Sequence, residues 1–201
     1  MIMTILYTVG NSLYLNITNR CPCDCVFCIR NNGDSVGDAD NLWLEREPTF
    51  ADVKRELDEF DLANIDEIVF CGYGEPTESL DLLLETADYI RSISNLPIRL
   101  NTNGLSDLIN EKPTAHLLEG RIDTVSISLN APTKEEYTRV TRPVFGDIAF
   151  DAMLNFAQDC KNYVRNVVFT VVDVIPEEDI KASKELAEKI GIDLRIREYE
   201  D

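Results

Sequence analysis

Apolar positions along the chain follow two alternating rhythms. Short runs with a two-residue period, or with unbroken apolar character, predict strands at 12–19, 67–71, 98–102, 123–129, 167–174 and 193–198. Longer runs with a 3.6-residue period predict helices at 49–60, 79–94, 134–141, 148–162 and 177–190, with a shorter helical stretch at 114–118. Boundary signals fit these limits. Thr49 stands three residues before Asp52, Ser79 and Pro176 open later helices, and Gly191 closes the last one. "EIVF", "VSISL" and "VVFTVV" are nearly all apolar or small, as strands covered on both faces should be.

Alternating strand and helix imply a parallel sheet with right-handed crossovers. Six β units are too few for the usual closed eight-stranded barrel. The expected fold is α/β: a partial (βα)6 TIM-like barrel of parallel strands in a single domain over 1–201, with a doubly wound sheet as the alternative. Both architectures bind ligands at the carboxyl ends of the strands, where "NRCPCDCVFC", "GYGEP", "NTNG" and "NAPT" fall. The stretch 31–48, rich in Gly, Asp and Asn, is longer than an ordinary connection and is a candidate lid.

Charge narrows the partners. The chain has 201 residues and 19 basic against 37 acidic side chains, a formal charge of −18 that disfavours nucleic acid. "MIMTILYTVG" has no basic n-region, and no stretch approaches a membrane span, so the expected location is cytoplasmic with no membrane association. One histidine, His116, sits on a helical stretch without an acidic or cysteine motif, which removes His-based nucleophile triads and HExxH zinc sites.

Six cysteines in such a chain point to metal ligation or redox chemistry, and four of them crowd into "CPCDCVFC". Cys21, Cys25 and Cys28 have C-x3-C-x2-C spacing in a loop after a strand. A loop can wrap three thiolates around one face of an iron–sulfur cube, leaving one iron open, whereas an electron-transfer cluster normally has four protein ligands. Cys23 reads as a small filler of that loop, although a four-cysteine zinc site or a resolving thiol are alternatives. Cys71 and Cys160 read as buried small hydrophobes, with Cys71 next to the following motif. In "GYGEP", glycines allow close backbone approach to a ligand, and Glu75 offers a carboxylate for an ammonium. Ser126, Ser128 and Asn130 alternate along one strand and so share a polar face.

With Phe27 in register before Cys28, the loop resembles the C-x3-C-x-Φ-C signature of the radical S-adenosylmethionine (SAM) superfamily, and "YLNITNRCPCDCVFCIRNNG" is most similar to its small members associated with TatD-type hydrolases. The resemblance implies a [4Fe–4S] cluster on Cys21, Cys25 and Cys28, with SAM chelating the open iron and Phe27 near its adenine. Gly72, Tyr73, Gly74 and Glu75 match the motif that binds the methionyl amine, Tyr73 replacing a glycine. Ser128 and Asn130 match ribose and carboxylate contacts, with Thr102 beside them. Arg142, or Arg139, is a cation for the methionyl carboxylate, and Val172 and Val174 are candidates to cover the adenine.

The implied activity is reductive cleavage of SAM to a 5′-deoxyadenosyl radical that abstracts hydrogen from a substrate. Flavodoxin or ferredoxin would supply the electron. A protein, a peptide or a TatD-type hydrolase is the expected partner, closing the lateral side that a minimal core leaves open. The alternatives are an iron–sulfur electron carrier and a zinc-organised interaction module.

Overall fold

In the computed structural model, which describes residues 3–31, 33, 36–39 and 41–198, one seven-stranded sheet runs in sequence order. Strands β1 (Leu6–Val9) and β2 (Ser12–Leu15) form an antiparallel hairpin. Five strands then add in parallel: β3 (Glu67–Phe70), β4 (Ile98–Thr102), β5 (Thr124–Ser128), β6 (Asn166–Val172) and β7 (Asp193–Arg197). The helices are α1 (Phe50–Glu59), α2 (Leu80–Ile93), α3 (Ser106–Ile109), α4 (Lys134–Thr141), α5 (Ile148–Cys160) and α6 (Glu177–Ile190).

The six expected β units are present as β2 to β7, and β1 is an addition. Its turn is Gly10-Asn11 between Val9 and Ser12, with Gly10 at φ +58°, a two-residue connection whose twist suits a hairpin. The 114–118 stretch is a 3-10 turn, Ala115–Leu118, rather than an α-helix. Helix starts follow local chemistry. At α1 the Thr49 side chain accepts from the Asp52 amide while Asp52 accepts from the Thr49 amide, a reciprocal capping box. Gly191 closes α6 at φ +73°.

Sequential strand order with every long helix on one face gives a singly wound, barrel-like sheet; a doubly wound sheet would reverse order and place helices on both faces. Leu13, Leu15, Ile68, Phe70, Ile98, Leu100, Val125, Ile127, Phe169 and Val171 meet Val53, Leu57, Leu83, Ile90, Met153 and Phe156 in one core. The alternate residues of the same strands face away from that core. They include Glu67, Arg99, Asn101, Ser126, Ser128 and Thr170, so the helix-free face carries polar groups beside Val69, Val168 and Val172.

Candidate functional site

The cysteine loop leaves the end of β2 and is fixed by backbone groups of distant segments. The last carbonyls of a helix lack partners inside it. Here the loop supplies them: the Asp24 amide donates to Thr141 O at 3.0 Å and the Val26 amide to Val140 O at 2.9 Å. Just beyond, the Val144 amide donates to Pro22 O at 2.9 Å. Within the loop, the Cys28 amide donates to Cys25 O at 3.1 Å, turning the third cysteine back towards the second.

Cys21, Cys25 and Cys28 are each half-buried and free, while Cys23 is buried. Hydrogen bonding among these thiols separates them. The bond to Cys23, opposed by burial, holds Cys21 below the ordinary thiol value. The bonds to Cys21 and Cys25, with burial, push Cys23 far above it. Cys23 joins the main core and receives a long contact from Asn103 Nδ2 at 3.9 Å, so it fills space beneath the loop. Among the described residues no three Cys, His, Asp or Glu side chains stand grouped for a single metal ion. A four-iron cube takes its thiolates at separate corners, and the half-buried Cys21, Cys25 and Cys28 suit that wider demand.

A basic residue missing from the sequence reading sits among these sulfurs. Arg30 Nε donates to Cys28 Sγ at 3.3 Å, and an Nη donates to Cys23 O at 3.4 Å. Burial works against its charge, but the hydrogen bond to Cys28 and the charges of Cys28, Cys21 and Cys25 more than offset that. All three sulfurs therefore lie within the electrostatic reach of one guanidinium. Arg30 lies over the Trp43 ring, 5.8 Å from its centroid, and Trp43 meets Tyr73 edge-on at 5.1 Å. The signal available was "CIRN", a cation two residues after the last cysteine of the loop.

Gly72, Tyr73, Gly74 and Glu75 lie at the end of β3, against the start of the cysteine loop. A Cβ on Gly72 would collide with Asn16 Oδ1, and one on Gly74 with Thr18 O and with Arg20 O at 2.7 Å. These glycines thus serve the approach of one loop to another. Tyr73 turns its ring away into a second small cluster with Tyr7, Ala39 and Leu42, and its hydroxyl donates to Gly33 O at 2.6 Å. The candidate lid is therefore seated on Tyr73 and the hairpin. Asp38 accepts from the Thr8 amide and hydroxyl, and Leu42 and Leu44 are buried. Residues 32, 34, 35 and 40 of that stretch lie outside the described residues.

Glu75 is a buried junction. Its Oε1 accepts from the Thr77 amide at 3.2 Å, the Thr77 hydroxyl at 2.8 Å and the Thr102 hydroxyl at 2.6 Å; its Oε2 accepts from the Asn103 amide at 2.7 Å. Its own amide donates to Arg20 O at 2.8 Å. Burial pushes the Glu75 pKa up against the pull of the hydrogen bonds. Oε2, with one donor, keeps the carboxylate's remaining acceptor capacity.

The other candidates divide. Thr102 is buried and its hydroxyl serves Glu75 and the Gly104 amide, so it acts through the rim's backbone. Ser128 ends β5, and Asn130 is buried at φ +62°, a left-handed conformation asparagine tolerates. Phe27 is half-buried and packs against the main core. Arg142 caps α4 at φ +46°, and its exposed guanidinium pairs with Asp24 at 3.5 Å on the outside of the cysteine loop. Arg139 pairs with Glu136 on the exposed face of α4. β6 ends at Val172, which is buried, whereas Val174 is 48% exposed in the turn beyond it.

The Radical SAM superfamily model matches residues 15–190. The GTP 3′,8-cyclase of Clostridium botulinum is 29% identical over 140 residues, 69% of this chain and 40% of its own length. Molybdenum cofactor biosynthesis protein 1 of Dictyostelium discoideum is 25% identical over 93% of this chain and 28% of its length. Among solved structures, Streptococcus suis SuiB bound to its precursor peptide SuiA superposes with a TM-score of 0.71 at 17% identity, covering 97% of this chain and 40% of that one. SuiB has also been solved bound to S-adenosylmethionine. This chain spans less than half the length of each. A family match from β2 to the end of α6 thus coincides with a singly wound sheet carrying three half-buried cysteines at its rim, and the chain belongs to the Radical SAM superfamily.

Proposed function

We propose that this protein is a radical SAM enzyme whose Cys21, Cys25 and Cys28 hold a [4Fe–4S] cluster beside a SAM molecule bound along the ends of β3 to β5. Members of the superfamily typically bind both cofactors. The observation that carries the reading is the division among the four cysteines. Three stand half-buried within reach of the Arg30 charge, while the fourth is buried in the main core.

When bound, the two cofactors supply one-electron cleavage of the SAM sulfonium and abstraction of hydrogen from a substrate. This chain's residues bind and orient. The amides of Asp24 and Val26, tied to the end of α4, fix the cysteine loop. Gly72 and Gly74 let the cofactor loop lie against it, and Glu75 joins that loop to β4 through Thr102 and Asn103. The free acceptor capacity of Glu75 Oε2 suits the methionyl ammonium, and Ser128 and Asn130 supply neutral polar groups for a ribose. Arg30 donates to a ligand sulfur and favours the more negative, reduced cluster.

The reduced thiols fit the cytosol, with flavodoxin or ferredoxin as the electron source. The relatives' names mention a nucleotide and a precursor peptide, two different substrate kinds. A TatD-type hydrolase, implied by the sequence resemblance, remains the candidate protein partner.

The test is anaerobic reconstitution with iron and sulfide, then dithionite and SAM, with 5′-deoxyadenosine measured by chromatography. Cys25→Ala should abolish the product and the cluster's visible absorbance, while Cys23→Ala should retain both. Equal loss in the two variants would refute the assignment of ligands.

A further inference from the structure

Two arginines on the edge strand have no part in the site described above. Arg195 and Arg197 alternate with Leu194, which packs on the core, so both belong to the helix-free face. The register carries that face back to the cofactor rim. Arg195 lies opposite Thr170, which lies opposite Ser128, and Arg197 lies opposite Val172. With strands about 4.8 Å apart, Ser128 and Arg195 are separated by roughly 10 Å along one row, the span of a small metabolite.

A third arginine on the face makes the contrast. Arg99 is neutralised by Glu67, whose oxygens accept at 2.6 and 3.1 Å, and it also donates to Asn101 at 3.0 Å. Among the described residues neither Arg195 nor Arg197 has an ion-pair or hydrogen-bond partner for its guanidinium, in a chain with 37 acidic residues. Burial and the like charges of Arg99 and Arg197 lower the Arg195 pKa, and the opposing pull of Tyr14 and of Glu67, already bonded to Arg99, does not offset them. Arg99, Arg195 and Arg197 thus share the one nearby carboxylate of Glu67, which bonds Arg99 alone, and a cationic pair left in surplus beside neutral Thr170 and Ser128 attracts an anion more strongly than it would in open solvent.

We propose that Arg195 and Arg197 form the anion-docking subsite for the substrate, holding a phosphate or carboxylate group at the β7 side of the helix-free face while its reacting carbon lies towards Ser128. This deepens the radical SAM reading by naming the substrate class, and it rests on that reading for the direction of the reacting carbon only. Guarding a sheet edge against strand pairing is the competing role for charges on β7.

Calorimetric titration of the protein without cofactors, using pyrophosphate in one arm and malonate in the other, tests the subsite. Binding that weakens about tenfold in the double variant R195Q/R197Q, and is unchanged in R139Q, supports it. The arm that responds identifies phosphate or carboxylate as the source. Should the double variant fail to fold, R195Q and R197Q singly carry the same comparison, each expected to weaken binding by about threefold. Wild-type binding no tighter than that of the arginine variants overturns the proposal, as does aggregation of the variants with anion binding intact. Anion binding that persists in a protein unable to form 5′-deoxyadenosine upholds the subsite and refutes the radical reading, so the two fail separately.

Discussion

Glu75→Gln perturbs the junction between the cofactor loop and β4 with little change of shape. The carboxylate accepts from four donors, three on Oε1 and one on Oε2. The Thr77 and Thr102 hydroxyls can rotate to a new partner, but the Asn103 amide at 2.7 Å cannot. A glutamine that keeps its carbonyl towards the threonines aims its NH2 at that amide, donor against donor. The loss is one charge-assisted hydrogen bond, about 1.5–3 kcal/mol, plus about 1–3 kcal/mol for an orphaned buried N–H. Burying a neutral amide instead of a charge returns part of this, leaving a net destabilisation of about 2–4 kcal/mol.

For a domain of this size that corresponds to a fall in Tm of about 5–15 °C, read by circular dichroism on the protein without cofactors. The pH dependence adds a second test. Burial raises the folded pKa of Glu75 above its ordinary 4.5. Over the window between those values the native state keeps a proton that the unfolded state has released, so this group's contribution to stability falls as pH rises above 4.5. The wild-type advantage over E75Q should therefore shrink from pH 4.5 upward. A Tm within about 2 °C of wild type at neutral pH, or an advantage that grows over that window, would refute the account.

Three further outcomes follow from named contacts. Gly74→Ala drives a methyl into Thr18 O and Arg20 O, so it should cost about 1–3 kcal/mol in urea unfolding and reduce SAM binding measured by equilibrium dialysis. Thr49→Ala removes half of the α1 capping box and should cost about 1 kcal/mol, lowering Tm by about 2–4 °C without altering SAM binding. Arg30→Gln removes the Nε donor at Cys28 Sγ, so the reconstituted cluster should become harder to reduce. A redox titration followed by electron paramagnetic resonance would show a more negative midpoint, and an unchanged midpoint would remove Arg30 from the cluster's electrostatics.

The fold was legible where period and punctuation agree. β3 to β7 and the five long helices match the sequence expectation to within one or two residues, because each apolar run is bounded by a cap or turn residue. β1 was overlooked although "TVGNSL" carries a Gly-Asn hairpin signal between apolar runs; a four-residue strand is too short for period alone to reveal. The cysteine spacing and the GYGEP loop were visible as letters. Their contacts were not. Nothing local predicts that Val140 and Thr141 hold the cysteine loop from more than a hundred residues away, or that Arg142 turns outward onto Asp24. Tyr73 was read only as a replacement for a glycine, whereas its side chain proves to seat the long loop on the hairpin.

These contacts decide which parts of the site can move relative to one another. The cysteine loop and the cofactor loop share the Arg20 carbonyl, which accepts from the Glu75 amide at 2.8 Å and lies where a Cβ on Gly74 would need to be. Glu75 then fixes the cofactor loop to the end of β4, and α4 fixes the cysteine loop from the other side. The cysteine loop and the 72–75 loop therefore respond to strain as one body, held by backbone bonds together with the Glu75 carboxylate. Adaptation to a substrate falls instead to the parts outside that body. These are the part of the long segment around Gly33, which meets the Tyr73 hydroxyl, and the exposed arginines of β7, which among the described residues have no bonded carboxylate to compete with an incoming anion. Substitutions that alter substrate choice should therefore map to 33–44 and to β7, while those at 20–28 and 72–75 should reduce turnover of every substrate alike.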